Sequence, residues 1–219
     1  MESQKIEQRR LTFTLLGFAL VFFLMPFAEV RPLPFHLTAF VLTLVLFLSS
    51  RILPASSKYK WFLIILSILA LCFDLLLLIT FHPLLEFFLI FSSHGIYTVC
   101  LGACVWLLVR NLASTEHNPK SLLKSGICGY LLLGFFWMEI YTFISALNPS
   151  IFSGVSVHNV SFFYFSFFAL SFLTGQGTFA ACHPVAYHLV GLEALTGQVF
   201  LFFFIARLAI LSYSYEARR

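Results

Sequence analysis

The chain of 219 residues is 60% apolar, only 10% charged, and carries a net charge of +4. Soluble domains contain about a quarter charged residues, so this composition excludes a soluble globular protein and indicates an integral membrane protein with the lipid bilayer as its partner. The basic residues fall between apolar runs, so we expect no nucleic-acid partner, and the sequence contains no metal, nucleotide or haem motif.

Six apolar runs are long enough to cross the ~30 Å hydrocarbon core of a bilayer as helices. Helix breakers such as His82-Pro83 and Asn148-Pro149 separate them. The sequence therefore predicts an all-α integral membrane protein with six transmembrane helices, at 11–27, 35–53, 61–81, 84–110, 121–147 and 184–213.

Nearly all of the positive charge lies on one side of this layout. Of the 13 lysines and arginines, all but Arg31 lie near the termini, between the second and third spans, or between the fourth and fifth. Basic residues accumulate on the cytoplasmic side of membrane proteins. The pattern therefore predicts a multi-pass protein of the cell membrane, inner or plasma, with both termini in the cytoplasm.

A polar stretch at 111–120 divides the chain into two predicted domains. Residues 1–110 are predicted to form a four-helix membrane domain, and 111–120 a cytoplasmic linker. Residues 121–213 form the second membrane domain, and 214–219 a short cytoplasmic tail.

A shorter apolar run begins at Phe162, between the fifth and sixth spans. About 14 helical residues rise only ~21 Å, which is too short to cross a bilayer. The run leads into Gly175-Gln176-Gly177, and glycine tolerates the unusual dihedrals of a tight, carbonyl-presenting loop. This pattern predicts a re-entrant helix that enters the bilayer from outside. The other interpretation is a simple tight turn in a helical membrane protein.

A series of short motifs runs through the second half of the chain. They are Gly129-Tyr130-Leu-Leu-Leu-Gly134, Tyr141, Pro149-Ser150-Ile151-Phe152, Tyr164-Phe165-Ser166-Phe167, Gly175-x-Gly177 and Leu192-Glu193-Ala194-Leu195-x-Gly197-Gln198. In order and spacing they resemble the pore domain of six-span potassium channels, over residues 125–212. The resemblance implies a homotetramer in which the re-entrant segment is a pore helix, four filter loops surround one central pore, and the sixth spans line the inner cavity.

The resemblance assigns the selectivity filter to a five-residue stretch: Leu173, Thr174, Gly175, Gln176 and Gly177. In such a filter, backbone carbonyls replace the hydration shell of a permeant monovalent cation, here expected to be K⁺. The family's filter reads Thr-Val-Gly-Tyr-Gly, so Leu173 stands in place of the threonine and Gln176 in place of the tyrosine. These two departures fall where the family decides between potassium and other ions.

The first four spans stand where a sensor domain precedes the pore in six-span channels. The fourth span lacks the arginine at every third position that a voltage sensor needs. We therefore expect no arginine-based voltage gating.

Two carboxylates, Glu139 and Glu193, lie inside the fifth and sixth spans at the depth expected for the back of the filter. A carboxylate in a membrane is unfavourable unless it is paired or protonated. Either both support the filter or the pore helix by hydrogen bonds, or they pair with neighbouring side chains and only hold helices together. Asp74 and His94 fall at a similar depth, as either an interhelical hydrogen-bonded pair or a proton-sensing switch.

The sixth span contains the candidate gating residues. Gly197 is either a hinge of the inner helix or a glycine that permits close helix packing. Phe203, together with Phe200 and Phe204, is a candidate for a hydrophobic constriction.

Together these features predict a cation channel subunit with potassium as the expected ion and with no catalytic residues, so not an enzyme. The alternative is a non-conducting polytopic membrane protein, such as a carrier, a membrane-embedded enzyme or a divergent channel relative.

Overall fold

The computed structural model describes residues 2–29, 36–53, 56–77, 79–80, 82–114, 119–153, 159–171, 180–181 and 183–216. Within these ranges the fold is all-helical, as the sequence predicts, apart from a short 3₁₀ turn and one two-residue ladder. The α-helices are α1 Glu2–Glu29, α2 His36–Ile52, α3 Ser57–Leu77, α4 Pro83–Ser114, α5 Pro119–Leu147, α6 Asn159–Leu170 and α7 Pro184–Glu216.

Three of the long helices, α4, α5 and α7, begin with a proline: Pro83, Pro119 and Pro184. Proline suits the first turn because the backbone N–H that it lacks has no partner inside the helix there. Helices α4 and α5 both extend into the stretch 111–120 that the sequence predicts as a linker, since α4 ends at Ser114 and α5 begins at Pro119. The division into domains remains a prediction.

Within the described residues, four helices, α3, α4, α5 and α7, are long and apolar enough to cross a membrane, judged by length and composition. Helix α2 contributes a shorter apolar stretch, Ala39–Arg51. Helices suit lipid because every backbone polar group inside them is paired within the segment. The chain therefore has the transmembrane-helix character of a multi-pass membrane protein, whereas the count of six spans remains a prediction.

Helix α5 packs against α1, α4, α6 and α7. Of its most apolar window, 61% is buried inside the chain, compared with 17% for α7. Helices α1 to α4 pack each against the next in sequence, and α4 then packs on α5. Helix α5 therefore links the first four helices with the α6–α7 pair.

Aromatic rings join α1, α5 and α6; we call this group the aromatic cluster, formed by Phe18, Phe22, Phe135, Phe163 and Phe167. The ring of Phe22 lies 5.2 Å from those of both Phe163 and Phe167, and Phe135 lies 5.6 Å from Phe163. Tilted and edge-to-face contacts of this kind stabilise a helix contact even in lipid, where burial of apolar surface contributes little. The first helix of the chain thus packs directly on the short helix α6.

A short ladder closes the ends of the segment that contains α6. After α5, the 3₁₀ turn Pro149–Ile151 leads into β1, Phe152–Ser153, which pairs antiparallel with β2, Ala180–Ala181, just before α7. Phe152 is opposite Ala181, and Ser153 is opposite Ala180. The chain between the two strands therefore leaves and returns at the same end of α5 and α7.

Replacing Phe22 by alanine is expected to lower the free energy of unfolding by about 1–3 kcal/mol, because each of its two ring contacts with α6 contributes ~0.5–1.5 kcal/mol. The matched control is Phe13→Ala on the same helix, whose ring is 71% exposed, with an expected change below ~0.5 kcal/mol. Denaturation of the detergent-purified protein, monitored by circular dichroism, measures the free energy of unfolding of both variants. Equal losses in the two variants would contradict the packing of α1 on α6.

Candidate functional site

The predicted filter residues Leu173, Thr174, Gly175, Gln176 and Gly177 lie outside the described residues. The geometry of the candidate site is therefore that of its surroundings: α6, which precedes the filter in sequence, and the faces of α5 and α7 that hold α6.

Glu193 of α7 is fully buried and joins three helices. The hydroxyl of Tyr141 on α5 donates a hydrogen bond to its Oε2. Ser166 Oγ on α6 lies 2.5 Å from Glu193 Oε1 and 2.9 Å from the carbonyl oxygen of Gly134 on α5. We call this group of residues the carboxyl clamp, because it ties α6 to both neighbouring helices.

The number of hydrogens in the carboxyl clamp indicates its protonation state. A serine hydroxyl carries one hydrogen, so Ser166 cannot donate to both Gly134 and an ionised Glu193. If the Glu193 carboxyl carries a proton, it donates to Ser166, Ser166 donates to Gly134, and Tyr141 donates to Glu193. Every contact then contains one hydrogen, so the geometry favours a neutral carboxyl at Glu193.

Gly197 of α7 lies against the last residue of α6. A Cβ atom at this position would lie 2.8 Å from Leu170 Cδ2 and 3.3 Å from the Leu170 carbonyl oxygen. The absence of a side chain therefore allows α7 to approach the C-terminal end of α6. This geometry supports the packing interpretation of Gly197, and a role as hinge remains a prediction.

The phenylalanines proposed for a constriction differ in their surroundings. Phe200 lies over Gly129 of α5, and Phe204 lies over Gly126 of the same helix. Both rings thus fill grooves on α5 within the chain. Phe203 is half-buried against the core, and its role as a gate remains a prediction.

Glu139 is also fully buried, but it points to α4 and not to α6. Its Oε1 lies 2.7 Å from Nδ1 of His94. Ser93, next to His94, donates to Asp74 Oδ1 of α3 at 2.6 Å. We call these four residues the polar chain, since they connect α3, α4 and α5 through the apolar interior.

The polar chain was only partly foreseen from sequence. Depth along each span indicates that Asp74, His94 and Glu139 lie at one level, but the partner of His94 is Glu139, 45 positions away, and not Asp74 as expected. Within the described residues, Glu139 Oε2 is buried without a hydrogen-bond partner. Buried ionisable residues in membrane proteins either lock helices by pairing or carry protons.

Within the described residues, no three His, Cys, Asp or Glu side chains are grouped closely enough to hold a metal ion. Comparison of the chain with protein-family models, with curated proteins and with solved structures found no match. The class that the fold and the site define is thus a helical membrane protein in which a buried half-length helix is clamped between two long ones.

Replacing Glu193 by glutamine is expected to preserve the carboxyl clamp. Like a protonated acid, the amide has one terminal atom that donates a hydrogen bond and one that accepts. We expect a stability loss below ~1 kcal/mol for Glu193→Gln, but about 1–3 kcal/mol for Glu193→Leu, which leaves Tyr141 and Ser166 without their partner. Unfolding in mixed micelles measures both. If glutamine is as damaging as leucine, the carboxyl is ionised in the folded protein.

Removing either partner of the His94–Glu139 pair is expected to destabilise the protein by about 3–5 kcal/mol, because the remaining group is left buried without its partner. The double variant His94→Leu/Glu139→Leu should lose less than the sum of the single variants, with a coupling of about 0.5–3 kcal/mol. Exposed Glu86 on α4 supplies the control Glu86→Leu. Strict additivity in the same unfolding assay would refute the pairing.

Proposed function

We propose that the chain is one subunit of a homotetrameric cation channel that conducts potassium passively through a backbone-carbonyl filter at Thr174–Gly177. The observation that carries the proposal is the path of the chain around α6. This half-length apolar helix lies between α5 and α7, and the ladder of Phe152–Ser153 with Ala180–Ala181 holds the two ends of its segment together. A pore loop requires this topology.

The depth of α6 supports the same function. Gly197 follows Pro184, the first residue of α7, by 13 positions, so Leu170 meets α7 about 20 Å along its length at ~1.5 Å per residue. In the proposed topology α7 enters the ~30 Å hydrocarbon core near Pro184, which puts the C-terminal end of α6 inside the core. The exposed carbonyls of a helix C-terminus carry partial negative charge and favour a nearby cation.

The length of the connection after α6 is compatible with a filter. Residues 171–179 link Leu170 to the ladder at Ala180, and an extended chain of that length reaches up to ~30 Å. The connection is therefore long enough to return from the end of α6 to the ladder. In the proposed channel these residues contain the filter, and Glu193 supports it by holding α6. The contact of Glu139 with His94 favours the helix-locking interpretation of Glu139.

The exposure of α7 supports the proposed assembly. Its apolar window is only 17% buried within one chain, and the exposed side chains include Leu195, Val199 and Phe202. An inner helix that lines a cavity and contacts neighbouring subunits must keep such a surface free in the isolated subunit. The proposed setting is the cell membrane, inner or plasma, with both termini cytoplasmic as the positive-inside pattern predicts.

One observation favours the alternative of a non-conducting polytopic protein. The polar chain of Asp74, Ser93, His94 and Glu139 resembles the carboxylate and histidine series that relay protons in carriers. A proton-coupled carrier would use this chain directly, whereas the proposed channel needs it only to hold α3, α4 and α5 together.

Liposomes that contain the purified protein are expected to pass K⁺ and Rb⁺ faster than Na⁺, and Gly175→Ala is expected to abolish this flux by preventing the carbonyl-presenting backbone. The matched control is Gly191→Ala, because, outside the local backbone of α7, no atom of the described residues lies within 4 Å of the position that its Cβ would occupy. Crosslinking of the same preparation should give four subunits.

Equal fluxes of Na⁺ and K⁺ would support cation conduction but contradict the proposed selectivity for potassium. Absence of cation flux from a monomeric protein would overturn the proposal. Proton-dependent solute uptake by such a monomer would favour the carrier.

A further inference from the structure

An open cleft of about 340 Å³ lies at one end of the helix bundle, where α1, α2 and α3 meet. Three cationic side chains line it, one from each helix: Arg10 of α1, Arg51 of α2 and Lys60 of α3. We call it the basic cleft. Small-molecule sites occupy ~300–1,000 Å³, so the basic cleft has room for a charged headgroup and not for a whole lipid.

The charge in the basic cleft is not balanced by the described side chains that line it. These side chains include no aspartate or glutamate, and none of the three cations forms an ion pair with a described carboxylate. Three like charges within one cleft repel each other, and at a partly desolvated site the repulsion is stronger than in bulk water. An anion bound between them would relieve this repulsion.

The cleft also presents hydrogen-bond donors of the kind that phosphate accepts. Ser57, the first residue of α3, is among the lining residues and carries a hydroxyl group, and the N-terminal end of this 21-residue helix carries partial positive charge. The guanidinium of Arg51 lies 4.9 Å from the ring centroid of Phe47, which also lines the cleft. Stacking on a ring holds a guanidinium plane in place and leaves its edge free to bind oxygen atoms.

The surroundings of the cleft are those of a membrane interface. Trp61 lines the cleft and is 62% exposed, and Ile65 one turn further along α3 is 61% exposed. Tryptophan is enriched where the hydrocarbon core meets the headgroups. Acyl chains therefore have an apolar surface on α3 directly beside the cations.

From these observations we propose that the basic cleft binds the phosphate group of an anionic phospholipid headgroup, held by Arg10, Arg51 and Lys60. Basic pockets between transmembrane helices are known sites for such headgroups. The site shares no residue with the carboxyl clamp or with the predicted filter, and it does not depend on ion conduction. A soluble phosphate compound presents the same chemistry, and the experiment below distinguishes the two sources.

The test uses the full-length protein in detergent and titrates it with phosphatidylglycerol or with phosphatidylcholine, following thermal stabilisation. We expect phosphatidylglycerol to stabilise the protein at lower concentration. Lys60→Gln should weaken this apparent affinity about fivefold, the effect of ~1 kcal/mol per basic residue. Lys58→Gln is the matched control. Lys58 lies two positions before Lys60, carries the same charge, is exposed and does not line the cleft.

The variant Arg10→Gln/Arg51→Gln/Lys60→Gln should lose the preference for phosphatidylglycerol entirely. The single variants provide the same comparison if this triple variant does not fold. A parallel titration without lipid uses inorganic phosphate and glycerol phosphate. If these compounds stabilise the wild-type protein but not the Lys60→Gln variant, the ligand of the basic cleft is a soluble phosphate compound and not a lipid. Equal stabilisation by both lipids, or equal effects of Lys60→Gln and Lys58→Gln, would overturn the site.

Discussion

The position of α6 depends on one buried carboxyl group. In a hydrocarbon interior, a polar group without a partner is strongly unfavourable. The carboxyl of Glu193 therefore restricts α6 to the depth and rotation at which Ser166 reaches both it and Gly134. The aromatic cluster stabilises the packing of α6 but does little to specify its orientation, because rings pack in several tilted arrangements of similar energy. The hydrogen bonds thus specify where α6 lies, and the rings make that position stable.

Helix α5 connects this clamp to the rest of the bundle. Glu139 and Tyr141 are two residues apart, which is ~200° around a helix of 3.6 residues per turn, so they point to nearly opposite faces. Glu139 pairs with His94 of α4, and Tyr141 donates to Glu193 of α7. Polar contacts therefore pin α5 on both sides at one level. Rotation of α5 about its axis would break one contact or both, so the two contacts together fix the rotation of α5 between α4 and α7.

The sequence predicts the positions of the long helices better than the hydrogen-bond partners of the buried polar side chains. Apolar runs bounded by prolines predict the long helices well, since proline at Pro83 and Pro184 ends one connection and starts the next helix. One expectation for the buried carboxylates was pairing with neighbouring side chains, and Glu193 pairs with Tyr141 and Ser166. The pairing of His94 with Glu139 was missed, because the rotation of one helix against another depends on tertiary packing and leaves no local pattern. The predicted filter lies outside the described residues.

One face of the C-terminal end of α6 is exposed within the described part of the chain. Phe163 and Phe167 belong to the aromatic cluster, whereas Phe168 is 42% exposed and Ser171, one turn later, is exposed as well. The Ser171 hydroxyl donates to the carbonyls of Phe167 and Phe168, a local contact that serine side chains commonly make in helices. In the proposed tetramer this face is directed to the shared axis, where water and neighbouring subunits replace lipid and the polar end of α6 is solvated.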